Sequence, residues 1–342
     1  MSSIRWRTIP AMNSKWPWGS VVALPWIAAF LCVAVWTTVA VGSADIAWHT
    51  ADWDGSERSY GLFVPEEVLD PAPLVLLLHG GGGSAPKTWN QEHGRSWRAL
   101  ADEHGFVLVL PQGRADPDST DAHHWNDCRT DIGSEAARSN EDDVGFLLDV
   151  IYEISALVSI DVDRVYATGA SNGGMMTYRL AIEAGDRFAA VAAVIANLPD
   201  PTECEAVPGP IPILIMNGTD DPLIPFDGGC VADDACERGR VLSTADTVAF
   251  WVGVNGASTE PEIERLPNRS WLDGSRVAVY RFRGRDGAVS VEYYHVQGGG
   301  HTVPGFETPS LLRRTLGGAK NRDIDGPAEI WSFFAARSRE TP

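Results

Sequence analysis

The chain has 342 residues, 44% of them hydrophobic, and a formal net charge of −19 at pH 7. That length supports one large core or two modest ones. The acidity argues against a nucleic-acid partner, because no basic patch is available to neutralise phosphates. Of the five cysteines, Cys32 lies in an apolar N-terminal segment, while Cys128, Cys204, Cys230 and Cys236 form an even set that fits two disulfides in an oxidising compartment. Three pairings are open, and spacing alone does not choose; Cys230–Cys236 with Cys128–Cys204 is the expectation carried forward. No Cys-x-x-Cys or His-x-x-x-His unit is present, so neither a metal nor a cofactor is expected.

Arg5, Arg7 and Lys15 precede an apolar run from Val21 to Val41, and no acidic residue occurs before Asp45. A basic start followed by an apolar segment reads as an export signal, with Ala40, Gly42 and Ala44 as small residues for cleavage. The run is nearly long enough to span a bilayer, so an uncleaved anchor is the alternative. Leu31 before Cys32 does not suit a lipoprotein site. Residues 1–44 are therefore set apart as signal or anchor, the only expected link to a membrane, and residues 45–342 as the folded domain.

In chain order, residues 54–65 read as a turn followed by an alternating edge strand. Leu74–Leu78 is a continuous apolar run, as in a strand buried on both faces, and it ends in His79-Gly80-Gly81-Gly82-Gly83. Residues 97–101 suggest a helix and residues 106–111 a second buried strand. The polar stretch 112–140 is too long for a plain connector and is expected to be functional. Helical spacing of Val144, Leu147, Leu148, Ile151 and Ile154 predicts a helix over 142–157. A strand then leads to Gly169-Ala170-Ser171-Asn172-Gly173-Gly174 and a helix. Residues 188–195 are a strand or a helix tail, and 211–216 a strand ending at Asn217-Gly218-Thr219-Asp220-Asp221-Pro222. A helix over 243–252 follows, then strands over 277–282 and 289–296, the second running into Gly298-Gly299-Gly300-His301. A last helix covers 328–336. Alternating strands and helices predict an α/β fold with a mostly parallel sheet and helices on both faces.

In such sheets, chemistry sits at the carboxyl ends of strands. Ser171, Asp221 and His301 fall at three such ends, in the order Ser, Asp, His. A serine hydroxyl needs a base to become a nucleophile; His301 suits that role, with Asp221 orienting its ring. Backbone N–H groups of Gly81 and Asn172 are candidates for an oxyanion hole. The competing readings are an ordinary glycine turn for Ser171, an Asx turn before Pro222 for Asp221, and a loop histidine for His301.

These motifs, with Trp125-Asn126-Asp127, Asp142-Asp143-Val144-Gly145-Phe146 and Trp331-Ser332-Phe333-Phe334, resemble extracellular α/β-hydrolase esterases of the polyhydroxybutyrate depolymerase and feruloyl or acetylxylan esterase type. The likeness runs from about Arg58 to Phe334. It implies an α/β-hydrolase fold, a triad of Ser171, Asp221 and His301 with Asp220 as the alternative acid, and Trp125 in the substrate cleft. Asn217 stands where that family often has histidine, and Val303 where it often has an aromatic residue.

The remaining histidines read as structural: His79 bracing the glycine loop, His123 and His124 in a solvated loop, His295 packed in its strand. The expected function is a secreted serine esterase acting through an acyl-enzyme on a small or oligomeric ester, of the polyhydroxyalkanoate, feruloyl or acetyl class. A serine peptidase of the same fold and a non-catalytic binding protein are the alternatives.

Overall fold

The computed structural model describes residues 45–342 except 118, 120, 130, 131, 205, 233, 234, 310–314 and 340–342. The N-terminal signal or anchor, and Cys32 within it, lie outside the described residues.

One ten-stranded sheet organises the domain. Its strands are β1 (Ala47–Trp53), β2 (Ser56–Phe63), β3 (Ala72–Leu78), β4 (Val107–Pro111), β7 (Ile160–Ala170), β8 (Ala190–Val194), β9 (Ile213–Gly218), β12 (Glu262–Arg265), β13 (Arg276–Arg283) and β14 (Val289–Gln297). Two-residue strands β5 (Arg114–Ala115) and β6 (His123–His124) pair with each other, as do β10 (Gly229–Cys230) and β11 (Arg240–Val241). The sheet order is β1-β2-β4-β3-β7-β8-β9-β14-β13-β12. From β4 to β14 every pairing is parallel, and antiparallel strands close both edges.

The apolar runs explain the parallel centre. In β3, Leu74, Leu76 and Leu78 join one core while Val75 and Leu77 join the other, since successive side chains point to opposite faces. Helices α4 (Asp143–Leu157), α5 (Asn172–Glu183) and α6 (Thr244–Val254) supply the first core through Phe146, Leu147, Met176, Tyr178 and Trp251. The second is filled from α1 (Ala85–Asn90), α2 (Glu92–His104) and α7 (Gly326–Ala335), where Trp331 stacks on Phe106 with ring centres 4.1 Å apart and Phe334 stacks on Tyr166 at 4.7 Å. A short helix, α3 (Glu135–Arg138), lies in the long polar stretch. Polar caps set helix starts: Asp142 accepts from the Gly145 N–H and Ser243 from the Asp246 N–H.

Several sequence expectations change. β2 is an interior strand; β1 is the edge, joined to it by a tight hairpin at Asp54-Gly55, both with positive φ. β1 was missed because its residues are exposed or only half-buried, so it carries little apolar signal. β12 is exposed along its whole length and was missed for the same reason. α1 was also unread, and α2 begins five residues before the predicted helix. The segment 188–195 resolves as strand β8.

A buried ion pair anchors the long polar stretch to this frame. Arg58, on β2, donates to Asp143 Oδ1 at 2.7 Å, to Glu141 Oε1 at 3.1 Å and to the Gln112 carbonyl at 3.1 Å. Its guanidinium lies 4.1 Å from the centre of the Phe146 ring. Asp143 Oδ2 accepts from the Asn126 N–H at 2.8 Å. Burial pushes the Asp143 carboxyl up, and Arg58 and the Asn126 N–H oppose that shift. Truncating Arg58 would leave a buried carboxylate without its counter-charge. Arg58→Ala is expected to cost about 3–5 kcal/mol of stability, read from the urea midpoint; a loss below about 1 kcal/mol, the range of a surface pair, would contradict this role.

Candidate active site

Between β7 and α5, Ser171 holds φ 58° and ψ −124°, a conformation L-residues seldom adopt and which costs on the order of 1–3 kcal/mol. The neighbourhood enforces it. The Ser171 N–H donates to the Val194 carbonyl at 2.9 Å, and its carbonyl accepts from the Met175 N–H at 2.9 Å. A Cβ on Gly169 would come within 2.4 Å of the Gly173 carbonyl oxygen, and one on Gly173 within 2.5 Å of the Leu78 and His79 carbonyl oxygens. Only glycine fits either position, so the tight turn presents the serine and nothing else.

At the end of β9, Asp221 uses both carboxylate oxygens. Oδ1 accepts from the N–H groups of Leu223 and Ile224, each at 2.8 Å. Oδ2 lies 2.8 Å from His301 Nδ1. The Asx turn and the histidine contact are thus made by one side chain. Asp220 is exposed and accepts from its neighbour, the Thr219 hydroxyl, at 2.7 Å. His301 follows β14, and its own N–H donates to the Gly317 carbonyl at 2.6 Å.

The glycine loop after β3 is held by histidines. His79 Nε2 accepts from the Gly113 N–H at 2.9 Å, which puts the ring proton on Nδ1, 2.9 Å from the Gly80 carbonyl. Burial pushes His79 down to about 3 from its ordinary 6.5, so the ring is neutral and structural. His123 and His124 are not a solvated loop. They form β6, and His123 exchanges backbone hydrogen bonds with Gly82 and Gly83 at 3.0 and 3.1 Å. The Gly83 N–H donates to the Gly80 carbonyl at 3.0 Å. Two N–H groups of the run are therefore committed within the loop, and neither belongs to Gly81.

Asn172 ties this loop to the next. Its Oδ1 accepts from the Trp125 N–H at 2.8 Å, and its Nδ2 donates to the Trp125 carbonyl at 3.0 Å and to Asp127 Oδ2 at 2.6 Å. Trp125, expected in the cleft, is fully buried: its indole N–H donates to the His79 carbonyl at 2.9 Å and its ring packs 5.0 Å from that of His79. An indole with both its backbone and its N–H engaged inside the protein has nothing left for the cleft. Trp125 braces the site from behind.

Ser171, Asn172, His301 and Gly81 line one cavity of about 1160 Å³, with Asp221 behind His301. His124 lines it too, its Cδ2 3.0 Å from where a Gly81 Cβ would stand, and its Nδ1 3.0 Å from Asp116 Oδ2, though out of line for a hydrogen bond. Of the two departures from the family pattern, Val303 lines the cavity, whereas Asn217 is buried and bonded to both backbone groups of Ala196. Sequence reading missed His124, Asp116 and Arg129; the only signal was their place in the long polar stretch. His295 packs among Phe226, Tyr280 and Tyr293.

A family model described as esterase PHB depolymerase matches residues 58–197. The proposed esterase NocK of Nocardia uniformis subsp. tsuyamanensis is 36% identical over 279 residues, covering 79% of this chain and 77% of its own. The chain belongs to the PHB depolymerase esterase family. Family membership makes it a carboxylic ester hydrolase. Feruloyl esterase B of Piromyces equi is 28% identical over 236 residues, 67% of this chain; the chain spans 39% of that relative's length. The acetyl xylan esterase from Aspergillus awamori superposes with a TM-score of 0.55 at 15% identity, covering 84% of this chain and 99% of its own, which shows the α/β-hydrolase fold. The expected disulfides are formed, Cys128–Cys204 and Cys230–Cys236, with Cα separations of 5.2 and 4.7 Å.

In this esterase the neutral His79 links stability to pH. Unfolded, a histidine takes up its proton below about 6.5; folded, His79 does so only near 3. The unfolded state binds more protons in that window, so stability falls as pH drops from about 6.5 towards 3. His79→Gln is expected to flatten the fall in melting temperature between about pH 7 and pH 4.5; an unchanged slope would contradict a neutral buried ring.

Proposed function

We propose that the chain is a serine esterase working through an acyl-enzyme, with Ser171 as nucleophile, His301 as base and Asp221 as its orienting acid. The observation that carries this reading is the 2.8 Å contact between Asp221 Oδ2 and His301 Nδ1 on the cavity that Ser171 and His301 line. Ser171 Oγ attacks the ester carbonyl carbon while His301 takes its proton. The resulting oxyanion is stabilised by the N–H groups of Gly81 and Asn172. Collapse of the intermediate expels the alcohol, which receives the proton from His301. Water, activated by the same base, then releases the acid and restores the serine. Asp221 suits its role because its other oxygen is fixed by two backbone N–H groups, so the carboxylate cannot swing away.

The substrate is a small or oligomeric carboxylic ester of the polyhydroxyalkanoate, feruloyl or acetyl class, and neither a metal nor a cofactor is required by this route. Export is supported by the two disulfides, which persist in oxidising compartments. Among the described residues no helix is long and apolar enough to cross a membrane.

Ser171→Ala should lower kcat/KM for 4-nitrophenyl acetate by about 10³-fold or more, as loss of a triad nucleophile does elsewhere. Unchanged turnover would sink the assignment. Asp221→Asn should cost roughly 10⁴-fold in kcat, against a few-fold at most for Asp220→Asn; equal losses would reopen the choice of acid.

A further inference from the structure

The cavity wall carries four lysine or arginine side chains among the described residues: Arg95, Arg129, Arg238 and Lys320. Three are neutralised where they stand. Arg95 binds Glu307 at 2.6 Å, Arg129 binds Asp127 at 2.9 Å, and Lys320 pairs with Glu92. The Arg238 guanidinium meets no carboxylate among the described residues. Its neighbour Glu237 also lines the cavity, but the two form no ion pair, and both are exposed.

Although its side chain forms no ion pair among the described residues, Arg238 is held through its backbone. Asn172 donates to Asp127 at 2.6 Å, Asp127 grips the Arg129 guanidinium, and Arg129 Nη1 donates to the Arg238 carbonyl at 2.7 Å. That chain of charge-assisted contacts runs from the residue beside the nucleophile to the cavity lip. The lip itself is cross-linked by Cys230–Cys236, and the Val231 N–H donates to the Gly239 carbonyl at 3.0 Å. Burial holds the His124 ring below its ordinary range; Asp116 opposes that, and Arg129, then more weakly Arg238, add to the lowering. In a chain of net charge −19 the general field repels anions; the Arg238 guanidinium in the cavity wall has no carboxylate against it among the described residues, and its planar fork matches a carboxylate.

We propose that Arg238 is a specificity residue that binds a carboxylate carried by the substrate, so that the enzyme prefers esters bearing a free carboxylate, such as half-esters of dicarboxylic acids or hydroxy-acid oligomers with a free acid end. This rests on the esterase reading of the same cavity. The carboxylate belongs either to the acyl part or to the alcohol part, and both present the same chemistry to the guanidinium.

Two substrate pairs distinguish them: 4-nitrophenyl hydrogen glutarate against 4-nitrophenyl butyrate for the acyl side, and 3-butyryloxybutyrate against its amide for the alcohol side. The expected result is that Arg238→Gln lowers the anionic-to-neutral ratio of kcat/KM by roughly tenfold in one pair, that Arg238→Lys keeps most of the ratio, and that Glu237→Gln raises it. Rising salt should compress the wild-type ratio, because the contact is exposed. Ratios unchanged within about twofold in both pairs would overturn the proposal. Failure of the esterase reading shows separately, as neutral-ester turnover that survives Ser171→Ala. Calorimetric titration of Ser171→Ala with 4-nitrophenyl hydrogen glutarate and with 3-butyryloxybutyrate reads the contact without turnover. A Kd roughly tenfold weaker for one of them when Arg238→Gln is added is expected, and equal Kd values for both would overturn the proposal.

Discussion

The side-chain amide of Asn172 is the contact on which the site depends. It makes three hydrogen bonds to one short segment, Trp125 to Asp127, and it does so from the first residue of the helix that follows Ser171. The same residue lines the cavity beside Ser171. One residue therefore couples the strained turn to the long polar stretch, and through Trp125 to the His79 carbonyl and the glycine loop. A buried amide is costly to desolvate unless satisfied; here satisfying it also positions three loops against one another. The positive φ of Ser171 persists because these surroundings over-determine it.

A second consequence concerns the charges. Asp127, Arg129 and the Asp143–Arg58 pair are all buried, and Arg129 also lines the cavity. Buried ion pairs seldom add net stability over apolar packing. What they supply here is geometry: each carboxylate binds a backbone N–H or a side-chain amide as well as a guanidinium, so each helps fix the course of a loop whose buried apolar residues are few, Trp125 chief among them. The polar stretch is ordered by charge-assisted hydrogen bonds where the rest of the domain is ordered by burial.

That division explains what could be read from the sequence. The parallel centre of the sheet was legible because Leu74–Leu78, Val107–Leu110 and Ile213–Met216 are apolar on both faces, a pattern only a doubly covered strand produces. The elbow was legible from the sterics of Gly169 and Gly173. β1 and β12 were not, because their residues are exposed or at most half-buried and give little apolar signal. Trp125 was misplaced because residue type does not tell which way an indole faces; the deciding partners, the His79 carbonyl and the Asn172 amide, lie 46 and 47 residues away in the chain. His124 and Asp116 were missed for a related reason, since a two-residue strand gives no period to recognise.

The two disulfides divide the remaining work by loop length. Cys128–Cys204 closes 76 residues and joins the segment after Trp125 to the chain following β8; in the chain-entropy account such a loop removes about 4–5 kcal/mol of freedom from the unfolded state. Cys230–Cys236 spans only six residues, and the same account gives it about 2 kcal/mol. The long bridge therefore acts on the whole fold and on the loop that Asn172 clamps. The short one acts on the lip, a segment with a positive φ at Ala232 and at Cys236 and with few buried side chains of its own. A lip so poor in core contacts would otherwise be the least stable part of the cavity wall, and it is the part from which Arg238 projects. Cross-linking it locally keeps that wall in place without adding apolar bulk that would narrow the opening.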